Sequence, residues 1–112
     1  MNDTEITRRL LGYIGFAARS GNISVGSELT LKAIRHSAGK GGIAALLASD
    51  ASERTKKQVS DKCAFYKVFL VTSDATSDEI GTALGKTAPV AAAAVTDKNL
   101  AAAIKKLYTD NT

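Results

Sequence analysis

Apolar residues recur every three or four positions in five segments of the chain, which is the spacing that places them on one face of a helix. The longest of these segments predicts a helix over about 4–19. The other four helices are expected after Gly26-Ser27, after Ser52, before Gly85 and after Thr96-Asp97. Their apolar positions are Leu31 with Ile34 or Ala33, then Val59 and Cys63, then Ile80, Ala83 and Leu84, and finally Leu100, Ile104 and Leu107.

Short apolar runs lie between these helices and predict strands. Residues 43–48, 68–71 and 90–95 are apolar throughout and have turn or capping residues on both sides, which is typical of strands buried on both faces. A minor strand is predicted at 23–25. The glycines within 38–42 predict a turn, because continuing a helix through them would be unfavourable.

Strands that alternate with helices indicate the α/β class. We therefore expect a three-layer α/β/α sandwich around a small mixed sheet. The strands are rich in alanine, and small side chains allow helices to approach a sheet closely. A length of 112 residues fits one domain, which we place over 1–112.

Composition excludes several classes of protein. The chain is 45% hydrophobic and 23% charged, which argues against disorder, and its one cysteine cannot form an internal disulfide. Its apolar runs are shorter than the ~18 residues that a membrane span needs. The amino terminus lacks the basic start of a signal peptide. We expect a cytoplasmic protein without membrane contact.

The positive charge is unevenly distributed along the chain. The formal net charge is +4, from 15 basic and 11 acidic side chains. Residues 1–67 carry eleven basic and six acidic side chains (+5), and residues 68–112 carry four basic and five acidic (−1). A basic face built from the first part would suit a polyanionic partner such as nucleic acid.

The candidates for chemistry are weak. Gly39 to Gly42 follow a helix and precede a strand, which is the reverse of the order in a phosphate-binding loop. His36 is the only histidine and is interpreted as solvated, and Cys63 as a buried, inert thiol. Asp50 follows a predicted strand, where α/β proteins bind ligands, but a capping or turn role is favoured. We expect no catalytic residue, no metal site and no cofactor.

Three junctions offer a more promising binding surface. Gly26-Ser27-Glu28 begins a helix whose free amides suit phosphate, and Lys32 lies about one turn further on. Ser52 and the cations after it begin the next helix, where Lys56 is expected to face water. Lys86 to Pro89 forms a short loop of small residues. If one edge of the sheet brings the three junctions together, they would form a basic rim.

Four segments then resemble the L-seven-Ae ribosomal-protein family, with its bacterial YlxQ-like branch as the closest match. They are GFAARSGNISVGSELTLKAIR, LLASDASERTKKQVSDKC, ALGK and VAAAAVTDKNLAAAI, in that order along the chain. The resemblance spans about residues 6–107. It implies a non-enzymatic protein that binds kink-turns, which are sharply bent RNA elements with tandem sheared G·A pairs, and it implies association with ribosomal RNA, ribosomal proteins or another ribonucleoprotein.

The resemblance also assigns residues to this RNA-binding role. The helix start that enters the RNA groove falls on Gly26, Ser27, Glu28, Leu29 and Lys32. The contacts to the flipped-out nucleotide and to the adjoining RNA backbone are assigned to Ser52, Lys56 and the loop formed by Ala88, Pro89, Val90 and Ala91.

The chain departs from its relatives at two of these places. Glu28-Leu29 stands where many relatives have Asn-Glu, and Ala88 stands where some have arginine. The resemblance therefore implies recognition that depends more on Lys32 and on backbone groups. Two other functions stay open: a protein–protein adaptor on the same fold, which an exposed Leu29 would favour, and an enzyme that binds a small nucleotide near Asp50.

Overall fold

Side-chain caps set the starts of four of the helices. The computed structural model describes residues 1–37 and 40–110, so part of the predicted 38–42 turn lies outside the described residues. In chain order the elements are α1 Asp3–Arg19, β1 Ile23–Val25, α2 Ser27–His36, β2 Ala44–Leu47, α3 Glu53–Tyr66, β3 Phe69–Thr72, α4 Ser77–Ala83, β4 Ala92–Val95 and α5 Lys98–Thr109. The capping residues are Asn2 for α1, Ser52 for α3, Thr76 for α4 and Asp97 for α5.

The strands form one mixed sheet in the order β1-β4-β2-β3. β2 and β3 run parallel, whereas β4 runs antiparallel to both β1 and β2. The carboxyl ends of β1, β2 and β3 and the amino end of β4 therefore share one edge of the sheet, which we call the carboxyl edge. The amino ends of β1, β2 and β3 and the carboxyl end of β4 form the opposite edge.

Alternate residues of β2 and β4 face two separate cores, because successive side chains in a strand point to opposite faces. Leu46 and Ala93 pack with α1, α4 and α5 on one face. Leu47 and Ala92 pack with α2 and α3 on the other. Two helical layers on one central sheet confirm the predicted α/β/α sandwich.

Two predicted strands differ from the structure. β3 was expected to be buried on both faces, but it lies at the edge of the sheet, where Phe69 and Leu70 are half-buried and Thr72 is exposed. β4 begins at Ala92 rather than at 90, since Val90 and Ala91 belong to the preceding loop. Among the described residues, no helix has the length and apolar character needed to cross a bilayer.

Burial also determines how two side chains titrate. Desolvation raises the pKa of the Cys63 thiol from 9.0 to about 11, and burial followed by the nearby charge of Asp74 raises the pKa of Tyr108 from 10.0 to about 12. The folded chain thus holds both protons more tightly than the unfolded chain does. Their contribution to stability is complete below pH 9 and is lost as the pH rises through 11 and 12.

We predict that the free energy of unfolding falls between pH 9 and pH 12, as measured by urea titration at each pH. Cys63→Ala removes the thiol and should show a shallower decline between pH 9 and pH 11. Identical slopes for the variant and the parent chain would contradict the role given to Cys63.

Candidate nucleic-acid interface

Backbone hydrogen bonds bring the three predicted junctions together at the carboxyl edge. The N–H of Gly26, before α2, donates to the carbonyl oxygen of Ala92 at 2.9 Å. The N–H of Ala48, after β2, donates to the carbonyl oxygen of Ala91 at 2.8 Å. Because β4 lies between β1 and β2, the 88–91 loop lies between the start of α2 and the β2–α3 junction.

Gly26 gives the start of α2 an unusual geometry. Its φ of 94° and ψ of 158° belong to a region of backbone space that is almost exclusive to glycine. No side chain caps α2 in the described part of the chain, and nothing lies within 4 Å of a Cβ placed on Gly26. The amides of the first turn, at Ser27, Glu28 and Leu29, are therefore open to an outside acceptor.

A buried threonine fixes this first turn. Both the N–H and the Oγ1 of Thr30 donate to the carbonyl oxygen of Gly26, at 2.9 and 2.7 Å. Thr30 is fully buried, so its hydroxyl serves the turn and not a ligand. The sequence prediction missed this residue, because a threonine inside a helix has no distinctive pattern around it.

The exposed face of α2 carries the side chains that a partner would meet. Glu28 and Lys32 are exposed, and Leu29 has 52% of its surface in contact with solvent. Leu29, Lys32 and His36 lie along one side of α2 and line a groove of about 590 Å³ together with Ser24 of the edge strand. This groove, which we call the α2 groove, begins beside the open first turn.

At the start of α3, unlike at the start of α2, a side-chain hydroxyl already caps the first turn. The Oγ of Ser52 accepts from the N–H of Thr55 at 3.1 Å and donates to the Oγ1 of Thr55 at 3.0 Å. Lys56 is half-buried rather than fully in water, and its Nζ lies 3.8 Å from the Oε1 of Glu53. Ser52 thus offers little hydrogen-bonding capacity to a partner, and Lys56 offers a partly neutralised charge.

Asp50 has the structural role that its position suggested. One carboxylate oxygen accepts from the N–H of Ser77 at 2.8 Å, and the other accepts from the Oγ of Ser77 at 3.1 Å. The hydrogen bond from the Ser77 amide is the main reason that the pKa of Asp50 lies below its ordinary value. Asp50 therefore links the β2–α3 junction to the start of α4 as an ionised carboxylate.

The 88–91 loop presents a mixed surface. Ala88 and Pro89 are exposed, Ala91 is half-buried, and the Val90 side chain lies in the core beneath α4. The N–H of Val90 donates to the carbonyl oxygen of Ser77 at 2.9 Å. The backbone around Ala88 packs so closely on Gly81 of α4 that a methyl group there would overlap the Ala88 carbonyl oxygen. An isolated glycine within a helical pattern could have indicated this close approach.

Within the described ranges 1–37 and 40–110, we find no cluster of three or more histidine, cysteine, aspartate or glutamate side chains that could bind a metal ion. The carboxyl edge thus provides open amides, one exposed lysine beside them and a loop of small residues. This arrangement can bind an extended anionic surface through backbone groups and charge.

Comparison with known proteins agrees with this architecture. Residues 8–105 match the model of the ribosomal protein L7Ae/L30e/S12e/Gadd45 family. A protein of Bacillus subtilis (strain 168) named RNA-binding protein YlxQ is 38% identical over 88 residues, which cover 79% of this chain and 83% of the relative. A protein of the same name from Enterococcus faecium is 41% identical over 61 residues, which cover 54% of this chain and 56% of the relative.

Two solved structures share the fold. A Bacillus halodurans protein of unknown function superposes with a TM-score of 0.76 at 28% identity, covering 88% of this chain and 94% of that one. The Giardia lamblia 15.5kD RNA binding protein superposes with a TM-score of 0.73 at 18% identity, covering 96% and 91% of the two chains. The family match over 98 residues and the 38% identity to the Bacillus subtilis protein lead to one assignment. The chain belongs to the ribosomal protein L7Ae/L30e/S12e/Gadd45 family, in its YlxQ-like branch.

Proposed function

We propose that this chain is a non-enzymatic RNA-binding protein that recognises kink-turns and acts in the ribosome or another ribonucleoprotein. The observation that carries the proposal is the uncapped first turn of α2, which lies next to the 88–91 loop and has open space over Gly26. The names of the YlxQ relatives support RNA as the partner.

The proposed mechanism is recognition of RNA shape. The first turn of α2 carries the positive end of the helix dipole and three open amides, and it enters the bent groove beside the G·A pairs. Lys32, one turn along the same helix, reaches guanine acceptors or a phosphate. The 88–91 loop, with Ser52 and Lys56 behind it, receives the extruded nucleotide. Because the protein binds the kinked form, it shifts the RNA population toward that form.

The exposure of Leu29 favours a second candidate function. A leucine with 52% of its surface in solvent, at the centre of the site, offers an apolar contact that RNA base edges do not need. A protein–protein adaptor would use that contact. Absence of RNA affinity at low salt would favour the adaptor over the RNA-binding function.

The deciding experiment compares two RNAs at one fixed salt concentration. One is a labelled kink-turn, and the other is the same RNA with its G·A pairs replaced by Watson–Crick pairs. We expect clearly tighter binding to the kink-turn, and an affinity for both RNAs that falls as salt is raised. Equal affinity for the two RNAs would leave nonspecific charge attraction and would overturn the proposal.

A single lysine tests the position of the site. We expect Lys32→Ala to weaken kink-turn binding by about tenfold and to reduce the slope of log affinity against log salt by about 0.9 if the contact is to a phosphate. Lys106→Ala, which removes the same charge from an exposed position on α5 that does not line the α2 groove, should change affinity little. Equal losses from the two variants would remove the start of α2 from the proposed site.

A further inference from the structure

A second groove lies at the opposite edge of the sheet from the proposed kink-turn site. It has a volume of about 590 Å³ and crosses from the end of α3, over the starts of β2 and β3, to the first turns of α5. Three aromatic rings and three lysines line it, namely Phe65, Tyr66, Phe69, Lys67, Lys98 and Lys105. We call it the aromatic–lysine groove.

One of the three aromatic rings of this groove, that of Phe65, is unusually accessible, whereas Tyr66 and Phe69 are half-buried. Phe65 has 77% of its surface in solvent, the largest exposed fraction among the exposed large apolar side chains of the described residues. Its ring meets that of Tyr66 edge to face, with the ring centroids 4.9 Å apart. A phenylalanine so exposed contributes little to the core, so most of its ring surface is available for contact with a partner.

The lysines beside these rings lack an acidic partner among the described residues. In the described part of the chain none of Lys67, Lys98 and Lys105 forms an ion pair. The Nζ of Lys105 lies 5.9 Å from the centroid of Phe69, so positive charge and an aromatic ring occupy the same wall of the groove. Asp97, the acidic residue next to Lys98 in sequence, accepts hydrogen bonds from the N–H groups of Asn99 and Leu100 as the cap of α5.

The aromatic–lysine groove adjoins the α2 groove. Ser37, the 41–43 segment and Lys98 line both cavities. Taken together, the linings of the two grooves extend from Leu29 beside the open first turn of α2, past Lys32 and His36, to Phe65 at the opposite edge. A chain with regularly spaced negative charges could follow this path without crossing an acidic cluster.

We propose that the aromatic–lysine groove binds single-stranded RNA and receives an unpaired strand that leaves the bent element held at the carboxyl edge. The claim that this strand leaves a bent element rests on the proposed kink-turn function, whereas the binding of single-stranded RNA in the groove does not. Phosphates meet the three lysines, and a base stacks on the exposed ring of Phe65. An acidic peptide would satisfy the lysines, but it would leave the exposed phenylalanine without a planar partner.

The first test uses a free, labelled, unpaired RNA of about ten nucleotides, a length within the range bound by single-strand binding domains. Phe65→Ala should weaken its binding by about tenfold, which is the loss expected for one stacked base. The matched control is Phe16→Ala, because Phe16 is also exposed on a helix, with 56% of its surface in solvent, and lines neither groove. It should leave the affinity unchanged. Melting temperatures measured alongside confirm that both variants are folded.

The second test separates this proposal from the kink-turn proposal. A minimal kink-turn duplex is compared with the same duplex carrying an unpaired extension of about six nucleotides. We expect the extension to tighten binding to the parent protein, and Phe65→Ala to remove that gain while binding the minimal duplex normally. Failure of the kink-turn proposal would instead appear as equal affinity for the minimal duplex and its G·A-replaced control, with unpaired RNA still bound through Phe65.

Two results would overturn the proposal. One is equal binding of unpaired RNA by the parent protein and by Phe65→Ala. The other is displacement of the RNA by a polyglutamate peptide at equal charge concentration, which would show that the groove recognises charge in an acidic protein partner rather than nucleotide bases.

Discussion

Gly26→Ala should lower the free energy of unfolding by about 1–3 kcal/mol, although the added methyl group would touch nothing within 4 Å. The cost arises from the backbone, since a φ of 94° with a ψ of 158° is strained for any residue that carries a Cβ. Relaxing this strain would move the Gly26 carbonyl oxygen, which accepts two hydrogen bonds from Thr30, or the Gly26 amide, which donates to Ala92. The first turn of α2 would then lose its fixed position.

The same substitution should weaken kink-turn binding more than its effect on stability explains. The open space over Gly26 is where the proposed site brings the RNA backbone closest, so a methyl group would occupy that approach. We expect a loss of at least about tenfold, measured at a temperature and urea concentration at which the variant is fully folded.

Gly12→Ala is the matched control for this prediction. Gly12 also has nothing within 4 Å of an added Cβ, but it is exposed in the middle of α1 and has a helical backbone. Alanine there should stabilise the protein by about 0.5–1 kcal/mol and leave RNA affinity unchanged. If urea titrations found equal effects for the two variants, the conformational role assigned to Gly26 would be wrong.

The local parts of this fold could be read from the sequence, whereas the long-range pairings could not. Helical spacing at Leu10 and Ile14, and capping oxygens at Ser52 and Asp97, act within a few residues and so predict the helices correctly. The strand order depends on which alanine-rich run pairs with which. The runs in β2 and β4 are chemically alike, so nothing local indicates that β4 lies between β1 and β2 or that β3 is an edge strand.

The residues at the candidate sites divide in the same way. The junctions at Gly26 and Ser52 could be named because each lies at a predicted helix start. Thr30 could not, because a threonine inside a helix has no distinctive pattern around it. An isolated glycine such as Gly81 can indicate a close approach, but its contact with Ala88 is formed only in the folded chain. The net charges of the two parts of the chain gave no sign of the basic groove at the opposite edge. Lys98 and Lys105 belong to the part of the chain with a net charge of −1, yet the fold brings them together in one groove, beside Lys67 from the other part.

Gly81→Ala should cause the largest structural change at the carboxyl edge. A Cβ on Gly81 would lie less than 3.0 Å from the carbonyl oxygen of Ala88 and about 3.5 Å from the Cα of Pro89. Both neighbours are backbone atoms, so no rotation of a flexible side chain can relieve the overlap. Overpacking of this kind costs about 1–3 kcal/mol.

The strain would fall on the 88–91 loop, because hydrogen bonds hold its ends in place. The N–H of Val90 is bound to Ser77, and the carbonyl oxygen of Ala91 is bound to Ala48. Displacing Ala88 must therefore stretch one of these bonds or shift α4. We expect Gly81→Ala to lower the urea midpoint and also to weaken kink-turn binding in the folded state, since the loop is proposed to hold the extruded nucleotide.

Gly15→Ala provides a graded comparison within the same layer of helices. An added Cβ at Gly15 would lie 3.2 Å from the carbonyl oxygen of Ala83, a tight contact that a shift of a few tenths of an ångström relieves. Gly15 is in α1 and far in sequence from the 88–91 loop, so we expect a smaller loss of stability and little loss of RNA affinity. A Gly81→Ala protein as stable as the Gly15→Ala protein would contradict the close packing of α4 on the loop. A clear loss of stability with unchanged kink-turn affinity would instead show that the loop's conformation does not matter for binding RNA.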